Sequence, residues 1–193
     1  LFWGVFDVHE RPDNAFCEEH LGGQKEEWDI FRHSGNTVVD GNGAAWNTMI
    51  SRVRANLSST TNYLRAAEYL DVLDFADYML VNIYAGNTDW PHHRWYAGRR
   101  RVTGGVFRFF SWDAELSFWT ARKSYHYSNP GAWVNPRFQQ LSVPITRLWQ
   151  SLQNDEHFRM TFADRVYRHC ENGGPRSDCL LYKPSSPRDL STS

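Results

Sequence analysis

Residues 72–113 read VLDFADYMLVNIYA, GNTDWPHHR, WYAGRR, RVTGG, VFRFFSW and D. The reading of this stretch decides the fold. Residues 72–85 put Leu73, Ala76, Leu80, Ile83 and Tyr84 on one helical face, with Phe75 and Met79 widening it. Asp71 stands where an N-cap is wanted and Gly86 where a helix stops. A helix this apolar is buried on most sides. Pro91 prevents its continuation, so residues 86–94 form a loop carrying Asp89. Residues 95–100 and 106–112 are rich in aromatic residues and flank Thr103-Gly104-Gly105, which predicts a β-hairpin. Asp113 and Glu115 follow its second strand.

Outward from this centre the pattern is mixed. Residues 1–8 (LFWGVFDV) and 28–32 (WDIFR) read as strands. Asp13 caps a short helix through His20 that Gly22-Gly23 ends. Residues 34–43 (SGNTVVDGNG) are dense in turn formers and read as a loop. Helices are predicted over 43–56, 62–70, 144–153 and 154–169, and residues 121–136 read as irregular. The Ser/Pro-rich end, from Pro184 onward, reads as a tail or linker.

The 193 residues suffice for one domain with a real core. Lys and Arg number 21 against 22 Asp and Glu, a balance that argues against a generic nucleic-acid or membrane-surface binder. No apolar run reaches the roughly 18–20 residues that span a bilayer. Nine Trp, nine Tyr and twelve Phe are a heavy aromatic load, which suits either a rigid core or a ligand groove. Of three cysteines, Cys170 and Cys179 are spaced to close a loop around Gly173-Gly174-Pro175, which would leave Cys17 unpaired.

The order of elements suggests a chemistry. A buried helix, a loop with an Asp, a hairpin and a second Asp is the succession used in protein kinases. There the first carboxylate takes the proton of the attacking hydroxyl and the second holds the cation that bridges the phosphates. Asp89 and Asp113 are the candidates. Taken singly, each is equally well read as the cap of a turn or of the element that follows it.

Several motifs, in order, resemble the CotH kinase family, the spore-coat-protein-H-like atypical kinases. They are Trp3-Gly4-Val5-Phe6 with Glu10-Arg11-Pro12-Asp13, the stretch from Tyr69 through Gly86-Asn87-Thr88-Asp89-Trp90, and Phe107 to Glu115 with its Trp112-Asp113. Leu148-Trp149, residues 158–169 and Asn172-Gly173-Gly174 continue the likeness, which covers about residues 1–175. The resemblance implies an α+β, protein-kinase-like fold, mainly the helical C-lobe, with a β-hairpin carrying the active-site end and a remnant of the N-lobe. Residues 1–33 would be the end of the N-lobe and its connection, 34–175 the C-lobe and 176–193 a flexible tail or linker. It further implies ATP, Mg or Mn, and phosphorylation of Ser or Thr on a partner protein, such as a coat or cell-surface protein. The setting implied is extracytoplasmic, secreted or on a cell or spore surface. Asp89 would be the catalytic base, Asp113 the metal ligand and Asn87 an auxiliary member of the loop. The nucleotide-clamping part of the small lobe, with its Gly-rich loop and phosphate-binding Lys, would precede Leu1.

Arg94 departs from the family, which commonly has Asn five residues after its catalytic Asp. A guanidinium repels a cation where an amide oxygen would ligate it. Arg94 is therefore expected to point away from the Asp89–Asp113 cleft, to contact a phosphate in place of one cation, or to mark a catalytically impaired surface or adhesion module that keeps the fold. Three weaker readings stand beside this one. His92 and His93 with Asp89, Asp113 and Glu115 carry donors suited to a hydrolase metal site. Arg99-Arg100-Arg101 with Arg108 reads as a solvated strand edge or a docking surface for an acidic substrate. A serine hydrolase is disfavoured because no nucleophile-elbow glycines surround Ser111.

Overall fold

Local signals place most of the helices. In the computed structural model, which describes residues 9–33, 37–87, 90–115, 117 and 143–171, Asp13 accepts hydrogen bonds from the Ala15 and Phe16 backbone N–H groups, each at 3.1 Å, and starts α1 (Asn14–Leu21). Asp71 accepts from the Asp74 N–H at 3.1 Å and starts α4 (Val72–Ala85). Gly86 ends α4 in the left-handed conformation (φ 58, ψ 39), which costs a glycine nothing. Between these lie α2 (Ala44–Val53) and α3 (Thr60–Ala67). Beyond the hairpin come α5 (Pro144–Leu152), with its proline in the first turn, and α6 (Glu156–Val166), capped by Asp155. The end of the helix expected over 154–169 is a π-helical turn, Tyr167–Glu171.

Four antiparallel strands complete the mixed fold: β1 (Trp28–Arg32), β2 (Thr37–Asp40), β3 (Trp95–Arg100) and β4 (Arg108–Ser111), in the spatial order β2-β1-β3-β4. The hairpin expected from the Gly-Gly turn is present, with Trp95 opposite Ser111 and Gly98 opposite Arg108. Strand β1 pairs with β3, Trp28 opposite Arg100 and Arg32 opposite Tyr96. The sheet therefore continues across the 33/34 boundary. Strand β2 corrects the reading of residues 34–43 as a loop throughout. Its Thr37, Val38 and Val39 are β-branched, but it forms because β1 offers a free edge.

The buried face of α4 also differs from expectation. Leu73 and Tyr84 are 57% and 39% exposed, whereas Phe75, Ala76, Tyr78, Met79 and Asn82 are buried. The helix lies against β4 and α6, and their positions choose the inward face. Apolar surface alone, being spread round the whole helix, does not choose it.

The aromatic load lies chiefly in the core. Trp46 of α2 stacks on Phe31 of β1 (centroids 4.6 Å apart, planes at 12°) and on Trp95 of β3 (5.9 Å, 18°), with Phe107 edge-on at 5.2 Å. Buried indoles find partners for their N–H groups: Trp28 donates to the Gly22 carbonyl at 3.2 Å and Trp95 to the Pro91 carbonyl at 3.0 Å.

The basic run makes ion pairs within the molecule. Arg99 and Arg100 lie on β3, which is interior to the sheet, so the edge reading does not hold for them; Arg108 lies on β4, an end strand, and is exposed. Arg101 and Arg99 turn to Asp29, a carboxylate 1% exposed, at 2.7 and 3.8 Å. Arg100 pairs with Glu27 at 2.8 Å, and Arg108 with Asp71 at 3.3 Å. The Glu27 carboxyl is held below the usual range, first by the Gln24 N–H and then by Arg100. No helix among the described residues is long and apolar enough to cross a membrane. The strand expected at 1–8, the irregular segment 121–136, Cys179 and the 176–193 tail lie outside the described residues.

Candidate functional site

Three elements converge at the open end of the hairpin: the C-terminus of α4 with the loop after it, the start of β3, and the residues after β4. A buried amide network ties the first to the last. Asn82, 3% exposed, donates from its Nδ2 to the Tyr78 carbonyl at 2.9 Å and to the Ser111 hydroxyl at 3.1 Å. Its Oδ1 accepts from the Nδ2 of Asn87, also 3% exposed, at 3.1 Å. The Asn87 N–H donates to the Asn82 carbonyl at 3.2 Å. Buried amides are costly unless paired, so these bonds fix where the loop leaves the helix.

The far side of the loop is pinned as firmly. Trp90, 3% exposed, donates its indole N–H to the Tyr78 hydroxyl at 2.6 Å, and burial pushes the pKa of that phenol up. The Trp112 N–H donates to the Arg94 carbonyl at 3.1 Å. Asp89, the sequence-based candidate for the base, lies outside the described residues; the chain is anchored on both sides of it, at Asn87 and at Trp90.

Asp113 and Arg94 face each other. Both have left-handed backbones, φ 49 and φ 65, which non-glycine residues adopt at some cost. The Arg94 Nη1 is paired with the Asp113 Oδ2, and its Nη2 lies 3.9 Å from Glu115. One expected outcome, that Arg94 points away from Asp113, does not hold: it lies on the Asp113 carboxylate, because opposite charges meet where the two hairpin ends adjoin. A cavity of about 980 Å³ opens beside Asp113, walled by Glu10 and Phe16, by Asp74 and Asp77 of α4, and by Trp112 and Glu115. Burial pushes the Asp74 carboxyl up, against the Phe109 N–H that it accepts at 3.2 Å.

The sequence reading omitted Asn82 and weighed Ser111 only as a nucleophile, which it disfavoured. One signal for Asn82 was available: a lone amide inside an apolar helical run. Among the described residues the other donors do not gather. His93 stacks edge-on against His33 at 5.4 Å, and burial together with His93 holds the His33 pKa low. Among the described residues no group of three or more His, Cys, Asp or Glu side chains is placed to hold a metal. Mg commonly binds through one or two carboxylates together with substrate phosphates. Asp113 has the right chemistry for this, but with Arg94 on its carboxylate the arrangement as it stands does not fit a divalent cation.

An α+β chain whose post-helix loop and post-hairpin Asp meet at one end of a sheet is the class defined so far. The CotH kinase protein family matches residues 2–172, and the chain belongs to that family. No curated protein and no solved structure matches it.

Proposed function

We propose that this chain serves ATP-dependent phosphorylation of Ser or Thr side chains on a partner protein, in an extracytoplasmic setting. Family membership supports a kinase-like function and, with it, ATP, divalent metal and a protein substrate. The fold proposed is protein-kinase-like, with residues 34–175 as the large lobe. The observation that carries the reading at the site is the joining of the loop after α4 to the residues after β4, through Asn82 on one side and Arg94–Asp113 on the other.

In this reading the substrate hydroxyl oxygen attacks the γ-phosphorus, the bond from that phosphorus to the ADP oxygen breaks, and the hydroxyl proton passes to the Asp89 carboxylate. Asn87 and Trp90 hold the two ends of the short segment that carries Asp89. Asp113 would be the carboxylate to hold a cation once Arg94 is drawn off it. Transfer of label from γ-labelled ATP to an acceptor protein, in the presence of Mg or Mn, tests the proposal in the intact protein. Asp89→Asn is expected to lower the rate by ~10²–10⁴-fold while nucleotide still binds. Asp113→Asn is expected to lower both transfer and metal-dependent nucleotide binding. Rates unchanged in both variants would overturn the assignment.

The Arg94–Asp113 pair favours a second reading, a family member that keeps the fold as a surface or adhesion module with impaired catalysis. Its signature is an intact protein without transfer activity.

A further inference from the structure

Arg94 stands one residue, and Asp113 two residues, beyond the last ladder pair of the hairpin: Trp95 opposes Ser111, and the Arg94 carbonyl takes the Trp112 N–H at 3.1 Å. Left-handed backbone at both residues accompanies the meeting of their side chains, outside the alternation of the strands. The guanidinium lies on the Asp113 carboxylate, within 3.9 Å of Glu115, at the rim of the acid-walled cavity. The backbone does not call for arginine here, since a φ of 65 is adopted most readily by glycine and asparagine. The special feature of the residue is therefore its charge and reach.

We propose that Arg94 is a tethered cation on Asp113 that excludes a free divalent cation from the same carboxylate. Occupancy of Asp113 is then a competition. A guanidinium is a fixed cation with no lone pair to give a metal. Tethering keeps the guanidinium at a high effective concentration, so a free cation has to outcompete a neighbour that never diffuses away. The site would be left weak for metal until some event, such as arrival of a phosphate group that recruits the guanidinium, draws Arg94 off. The inference rests on the reading of Asp113 as a cation ligand, and the two are separable by experiment.

The probe is Mn²⁺ alone, its free concentration followed by electron paramagnetic resonance in the presence of the 193-residue chain. Arg94→Asn and Arg94→Gly both suit the local backbone, and both are expected to bind Mn²⁺ at least tenfold more tightly than the unaltered chain. Arg94→Lys keeps the charge and is expected to stay within about threefold of it. Adding Asp113→Asn to either gain variant is expected to cancel the gain. Equal affinity in the unaltered chain and both gain variants, with weaker binding in Asp113→Asn, would overturn the competition while leaving Asp113 a cation ligand. A gain in Arg94→Asn that Arg94→Gly lacks would also overturn it, because the added amide oxygen would then be the cause. Binding indifferent to Asp113→Asn in every background would overturn the cation reading of Asp113 itself.

Discussion

Cys17 is a buried thiol beneath the sheet. A Cβ built on Gly98 of β3 would come within 3.1 Å of its sulfur and 3.2 Å of Ile30, so glycine is what lets α1 and β3 approach. Burial, with smaller contributions from Asp13 and Asp40, pushes the thiol pKa up to about 12. Thiolate is the reactive form, so at pH 8 the native chain should leave Cys17 unalkylated by iodoacetamide. Urea should expose it, and peptide mass spectrometry reads the difference, expected to exceed about a hundredfold in rate. The sign of the pH effect on stability follows. The folded state keeps a proton that an unfolded thiol gives up near pH 9, so stability is full below about 9 and declines as the pH rises towards 12. The gap in urea midpoint between the unaltered chain and Cys17→Ala should narrow over that range. Arg94 and Asp113 belong to the same scale: the guanidinium of one is paired with the carboxylate of the other.

Among the elements, α4 carries the most information. Its capping Asp71 also takes Arg108 from β4, and Asp74 takes the Phe109 N–H, so the first turn of the helix is tied to the second hairpin strand. Its last turn is tied to the same strand through Asn82 and Ser111. Asn82→Ala would leave the Ser111 hydroxyl and the Asn87 amide without the group they share. Unfolding in urea should show a loss of about 1–2 kcal/mol, carried by the buried Asn87 amide, since the exposed Ser111 hydroxyl can turn to water. Combined with Ser111→Ala, the loss should be less than the sum of the two, because both remove one bond. Toward α6 the helix is held by Asp77, whose Oδ1 accepts from the Arg165 Nε at 2.6 Å, an ion pair that keeps Arg165 firmly charged.

At the scale of the molecule, Trp46 is the joint between helices and sheet. It reaches from α2 to β1, β3 and Phe107 within one aromatic cluster. Trp46→Ala should cost about 3–5 kcal/mol, since so large a cavity cannot close between a sheet and a helix already fixed by other contacts. Trp46→Phe should cost distinctly less. Both losses are measurable by urea unfolding monitored by circular dichroism. Asp29, two residues before Phe31, links the same face of the sheet to the start of α2. The Asn42 N–H at 2.8 Å and Arg101 at 2.7 Å both bind its buried carboxylate, joining β1 to the turn before α2 and to the end of β3.

Short-range chemistry was legible in the chain itself. Asp13 and Asp71 announce helices because a side-chain oxygen reaches backbone N–H groups two or three residues on. Gly86 announces a stop, and Thr103-Gly104-Gly105 a hairpin, for equally local reasons. The family motifs were legible too, since they are strings of residues in order. Tertiary structure alone decided what depends on distant partners. Thr37–Asp40 became a strand because β1 lay beside it. Arg99 and Arg101 turned inward because Asp29 is buried there. Asn82 became the link between the loop after α4 and Ser111, which follows Asn82 by 29 residues in the chain. Arg94 met Asp113 because antiparallel pairing of β3 with β4 brings the first residue before one strand to the residues just after the other. Caps and turns are set by the few residues that form them, whereas a register or a charge pair exists only once the chain has closed on itself.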